Sequence, residues 1–141
     1  MCSLKTHTQK RSRRERGQAL VEFAFVVPIF LILVLGIVDF GWALRSWITV
    51  TNSAREGARL GAVGATCDDI KQRAVDTSAD LLSLSDVSVE NCQGDPGTNL
   101  EVTVSYEYSW ITPLGGLLTT FSGGTLPSTI TMTSTSDMRL E

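Results

Sequence analysis

The spacing of apolar residues divides the chain. From Ala19 to Leu44 they are nearly continuous, and Phe23 to Val38 carries no charge. At about 1.5 Å per residue, a helix over this run exceeds the roughly 30 Å of bilayer hydrocarbon, so it predicts a membrane span. Beyond it, Arg45 to Ala65 keeps good helix formers and no proline. Trp47, Ile48, Ala54, Ala58, Ala62 and Ala65 recur there at mostly three- to four-residue spacing, which predicts that the same helix runs on out of the membrane. Gly57 and Gly61, flanked by Ala54, Ala58 and Ala62, allow a close approach. That approach suits another helix or the protein's own sheet, and the sequence leaves both open.

Thr66 or Asp68 suits the cap of a second helix, over about Asp69 to Leu82, with Ile70, Ala74, Ala79, Leu81 and Leu82 on or near its buried side. The period then shortens to two. Val87 and Val89 alternate with Ser88 and Glu90, predicting a short strand, and Gly94 to Asn99 reads as a turn. Leu100, Val102, Val104, Tyr106, Tyr108 and Trp110 occupy every second position, the clearest strand in the chain, which Pro113 is expected to close. Leu114 to Leu118 followed by Ser122-Gly123-Gly124 reads as an irregular loop with an apolar tip. A last strand is expected over about Ser128 to Ser136, with Ile130 and Met132 inward and Thr and Ser outward. The expected fold is α+β: a long membrane helix, a second helix and about three antiparallel strands.

Charge gives this layout a direction. The net charge of −3 hides a leader, residues 1–17, of +5 and a remainder of −8. Positive charge beside the span predicts a cytoplasmic N-terminus and an exported acidic domain. The organisation is then a basic leader (1–17), a transmembrane helix (18–44) and an extracytoplasmic domain (45–141). Asp39 is expected near the outer end of the span, reaching headgroups and water, with Trp42 and Trp47 as interfacial anchors. Pro28 is expected to kink or loosen the span locally. A cleavable secretory signal is the competing reading, because Gly41-Trp42-Ala43 offers small residues around a cut. Against it, the apolar run exceeds the usual core of roughly 7–15 residues, Glu22 interrupts its start, and the helical pattern continues through the site. Nucleic-acid binding is not expected, since the basic run is short, abuts the span and lacks interleaved aromatics.

Little in the chain suggests catalysis. The single histidine, His7, lies in the leader, so the exported part has none for a Ser-His-Asp triad or a histidine metal site. Asp68 and Asp69 read as helix-capping and solubilising acids, and no calcium loop is present in the pattern. No enzymatic activity, metal or cofactor is expected. Cys67 and Cys92 fall in the exported part, where pairing would contribute about 3 kcal/mol; two unpaired buried thiols are the other reading. Cys2 lies in the leader and precedes the apolar run, unlike a lipoprotein cysteine. Glu22 stands out because an unpartnered carboxylate at the start of an apolar span is costly.

The order of basic stretch (Lys10 to Arg16), Gly17, four residues, Glu22 and apolar helix resembles the processing site of type IV pilin-like proteins. The wider text resembles the TadE-like family of pseudopilins of tight-adherence (Tad/Flp) pilus systems. It comprises Gly17-Gln18-Ala19-Leu20-Val21-Glu22-Phe23-Ala24, Pro28, Asp39-Phe40-Gly41 and Thr51 to Arg59. The likeness covers about Arg16 to Ala65, with a faint echo in Met138-Arg139-Leu140-Glu141; Glu-Phe stands where Tad-type precursors often carry Glu-Tyr. The resemblance implies a pilin-like fold and cleavage after Gly17 by a prepilin peptidase, leaving Gln18 as the new N-terminus. Glu22 would then neutralise the amine of Gln18 on a neighbouring subunit and fix axial register; its alternative is to snorkel to the interface. The implied partners are that peptidase, a major Flp-type pilin, a second pseudopilin and an inner-membrane Tad assembly platform. The implied role is that of a minor pseudopilin in pilus assembly and adhesion, single-pass in a bacterial cytoplasmic membrane or incorporated in the pilus. The contrasting reading is a secreted or membrane-anchored binding module with no pilus role, using the acidic domain or the Leu114 to Leu118 loop as its contact surface.

Overall fold

The computed structural model describes residues 13–125, 127 and 129–140, with side chains from Gly17 onward. Most of the leader, including Cys2, His7, Lys10 and Arg11, lies outside the described residues, as do Ser128 and Glu141. The first element, α1 (Arg13–Ala62), is one helix of 50 residues that passes through Pro28 and through Ala43 without a break. Its apolar first half is exposed on all sides, Phe23, Phe25, Ile29 and Phe30 included. From Asp39 onward one face is covered.

That covered face includes Ala54 and Ala58, as the apolar spacing suggests, but departs from it at Trp47 and Ile48. Ser46, Val50, Ser53, Ala54, Gly57, Ala58 and Gly61 are buried, whereas Trp47 and Ile48 point outward. The partner is a sheet at close range, so small size decides burial more than apolarity does. A Cβ on Gly61 would fall 2.1 Å from Leu100 Cδ2 and 2.9 Å from Ile70 Cδ1. One on Gly57 would lie 3.3 Å from Val102 Cγ1. Both glycines therefore serve the protein's own sheet and second helix.

The second helix, α2 (Cys67–Thr77), starts earlier and ends sooner than its pattern suggests. Thr66 is the cap: its hydroxyl accepts the Asp69 N–H at 3.3 Å and donates to the Asp69 carboxylate at 2.7 Å. At the other end the Ser78 hydroxyl donates to the Val75 carbonyl at 2.6 Å, and Ala79 and Asp80 turn into left-handed backbone (φ 51° and 65°). Ala79 is consequently exposed; Ile70, Ala74 and Leu82 are buried, with Leu81 half-buried. A 3-10 turn (Leu84–Asp86) leads into the sheet.

Strands β1 (Val87–Glu90), β2 (Asn99–Ser109) and β3 (Thr129–Arg139) form an antiparallel sheet with β2 central. Val87 lies opposite Val104, Leu100 opposite Met138 and Tyr108 opposite Ile130. Leu100, Val102, Val104 and Tyr108 are buried against α1 and α2, and the alternate residues Glu101, Thr103, Ser105 and Glu107 face away. β2 stops at Ser109, so Trp110 lies past its end. β3 runs three residues beyond Ser136; Met132 is buried, but Ile130 is 39% exposed because it lies at the sheet's end, past the core.

One core, built on Val50, Ala54, Ala58, Ile70, Ala74, Leu100, Val102 and Val104, joins α1, α2 and the sheet. The Cys67–Cys92 disulfide (Cα–Cα 5.4 Å) ties the start of α2 to the loop after β1. With its ends 25 positions apart in sequence, the cross-link restricts the unfolded chain by about 3 kcal/mol. The segment expected as an irregular loop is instead a helix, α3 (Leu114–Phe121). Leu114, Leu117, Leu118 and Phe121 carry a helical period that two glycines obscure, and Gly115 is needed because a Cβ there would meet the Trp110 side chain at 2.7 Å. The architecture is α+β with a membrane-spanning-type N-terminal helix.

Candidate functional site

Two loci on α1 carry chemistry. At the first, Gly17, Gln18, Val21 and Glu22 line a shallow open depression on the exposed helix. A Cβ on Gly17 would meet nothing within 4 Å. Helical glycine costs about 1 kcal/mol relative to alanine, and no contact with a described side chain requires it. Glu22 is exposed among apolar neighbours, and among the described side chains none donates to its carboxylate.

The second locus is Asp39, which is 1% exposed where headgroups and water were expected. Its carboxylate accepts the N–H groups of Ile111 and Thr112, each at 3.0 Å, and also the Thr112 hydroxyl. The Asp39 carbonyl accepts the Tyr108 hydroxyl at 3.0 Å, and Thr112 Oγ1 in turn accepts the Leu114 N–H at 3.3 Å. The group is buried because its donors replace water. Burial, joined by the Asp39 charge, pushes the Tyr108 phenol above its ordinary value. This clasp joins the helix to the end of β2 and the start of α3. Sequence spacing missed it, since the partners lie about seventy residues away; the only cue was a carboxylate directly after an uncharged run.

Above the clasp, a cleft of about 280 Å³ opens between Trp42, Arg45, Asp80 and Tyr106. The Arg45 guanidinium sits 4.8 Å over the Trp42 ring. Farther out, Glu56 accepts from Arg59 and Arg73, each at 2.7 Å, and so ties α1 to α2. Those two guanidiniums, Arg59 first, hold the Glu56 carboxyl down at about 2.

Residues 17–59 match the family model of TadE-like proteins. The match bears out the resemblance read from the sequence and associates the chain with Tad pilus components. Its first residue is Gly17, and it contains Gln18, Glu22, Asp39 and Gly57. The TadE-like segment therefore lies wholly within α1, while α2, the sheet, α3, Cys67 and Cys92 lie outside it. Among the described residues one helix, α1, is long and apolar enough to cross a membrane, which fits a single-pass membrane protein. No curated protein and no solved structure matches the chain.

Proposed function

We propose that the protein is a minor pseudopilin of a Tad-type pilus. On this reading it is cleaved after Gly17 by a prepilin peptidase, held in the bacterial cytoplasmic membrane with its domain outside, and used with a major pilin and a second pseudopilin on the assembly platform. The observation that carries this reading is that Gly17 and Glu22 do no work inside the fold. Each is unfavourable where it stands, the glycine in a helix and the carboxylate among apolar side chains, and neither has a compensating contact among the described side chains. Their partners are then other molecules. The peptidase reads Gly17, and a neighbouring subunit's Gln18 amine pairs with Glu22. The role is structural, and the protein is the peptidase's substrate.

The N-terminus of protein taken from native membranes tests this reading. Gln18 is expected from wild type, and full-length precursor from Gly17→Leu. An N-terminus at Leu44 would mark a secreted module instead, and normal maturation of Gly17→Leu would remove the processing assignment. Glu22→Gln should mature and fold, yet lose crosslinks to other pilin subunits; unchanged crosslinks would leave Glu22 as a snorkelling residue.

A further inference from the structure

Helix α3 presents large apolar side chains to solvent at the one level of the molecule where solvent is expected to give way to lipid. Phe121 is 87% exposed, and Ile111, Leu117 and Leu118 are exposed beside it. Leu114 is turned the other way, buried, with its Cδ1 4.0 Å from the Cβ position of Gly36 on α1. A span that begins near Ala19 and needs about 20 residues to cross the hydrocarbon ends close to Asp39. The contact at Gly36 and the clasp at Asp39 thus set α3 at the outer boundary of that span.

Charge follows the same boundary. Between Glu107 and Asp137 the chain has no Asp, Glu, Lys or Arg. β2 runs back along α1, with Leu100 against Gly61, Val102 against Gly57 and Tyr108 against Asp39. Of the sheet's charged residues, Glu90, Glu101, Asp137 and Arg139 gather at the far end; toward the exposed apolar half of α1 the sheet carries Glu107 alone, on the face turned away from α1. The hydroxyls of α3 also have partners within the helix: Thr119 and Thr120 both donate to the Gly116 carbonyl, at 3.0 and 2.7 Å. Satisfying them internally lowers the cost of leaving water. An eight-residue helix is too short to hold itself together, and here the Asp39 clasp anchors its start.

We propose that α3 is a membrane foot. Ile111, Leu117, Leu118 and Phe121 enter the outer leaflet of the bilayer that α1 crosses, to the depth of about 5–10 Å usual for an interfacial helix. The inference rests on reading α1 as a membrane span. With no Lys or Arg on the foot, insertion is driven by apolar area and does not depend on anionic lipid, unlike that of basic amphipathic helices.

The test uses the full chain with Cys2→Ser, labelled without reductant by an environment-sensitive fluorophore at Phe121→Cys, Phe30→Cys or Ser88→Cys. Each is reconstituted into phosphatidylethanolamine/phosphatidylglycerol vesicles carrying shallow or deep doxyl lipids. The Phe121 label should be quenched roughly twofold or more relative to the Ser88 label, and most by the shallow probe, as expected for interfacial depth. The Phe30 label should respond most to the deep probe, and exchanging phosphatidylglycerol for phosphatidylcholine should change neither result. If the Phe30 label is not quenched, the span and the foot both fall. If Phe30 is quenched while Phe121 behaves like Ser88, the foot alone falls. Shielding of Phe121 that disappears as protein is diluted into excess lipid would make the surface a subunit contact and overturn the proposal.

Discussion

The two halves of α1 solve opposite packing problems on one continuous backbone. Before Asp39 the side chains are large, apolar and exposed all round; beyond it the buried face is made of Ser, Ala and Gly. Lipid is fluid and fills the space around any shape, so that half needs only bulk and the absence of charge. A sheet is a fixed surface, and the other half must be shaved down to meet it. The same residue type shows the contrast: a Cβ on Gly36 would meet Leu114 Cδ1 at an ordinary 4.0 Å, whereas one on Gly61 would collide with Leu100 at 2.1 Å. Composition thus reports the neighbour more than it reports the helix.

The junction between the halves should be the most sensitive point. Asp39→Ala leaves the part-buried N–H groups of Ile111 and Thr112 without an acceptor and is expected to destabilise the domain by about 3 kcal/mol. Asp39→Asn keeps an acceptor and should cost roughly half as much. Denaturant titration in detergent, followed by protease sensitivity near α3, measures both; equal stability of Asp39→Ala and wild type would mean that the two halves are not joined there.

Gly61→Ala should come next, at about 1–3 kcal/mol from overpacking against Leu100 and Ile70. Gly41→Ala is its counterpart on an open surface and should be neutral or slightly stabilising, because alanine is the better helix former. Thermal melts of the pair sharpen the comparison, and equal losses at both sites would break it.

The smallest effect should come from pH. Because the folded Glu56 carboxyl lies near 2, below its ordinary 4.5, its contribution is fully present above about pH 4.5 and fades as pH falls through about 2. Glu56→Gln should flatten this part of the acid-stability curve, read from the difference between the two proteins' melting temperatures across pH 2 to 5. An unchanged slope would show that Arg59 and Arg73 do not hold the carboxylate in the folded state.

What the sequence revealed follows from how far each signal reaches along the chain. The alternation from Leu100 to Tyr108 and the apolar run from Ala19 are local patterns, so β2 and the long apolar helix were both legible. The buried face of α1 was misjudged at Trp47 and Ile48, because periodicity finds the apolar side of a helix, while a close sheet selects the small side. α3 was hidden because Gly115 and Gly116 read as loop residues, and only the position of the Trp110 side chain explains the first of them. Asp39 was assigned to water since its donors, Ile111 and Thr112, are remote in sequence and two of the three donating groups are backbone, which no side-chain pattern encodes. Gly17 and Glu22 were the reverse case. Their spacing singled them out, and the fold supplies no internal reason for them.

An unbroken helix also turns residue count into bearing. Between Glu22 and Asp39 every residue adds a turn of about 100° and a rise of about 1.5 Å, so the direction in which Glu22 points relative to the sheet is fixed by the number of residues between them. Removing one ahead of Gly36 and its contact with Leu114 would swing the carboxylate through more than a quarter circle while leaving the folded domain's contacts in place. Removing seven would restore the bearing to within about 20° but shorten the arm by roughly 10 Å. The span behaves as a screw thread, free to vary in which apolar residues it uses and tightly held in how many.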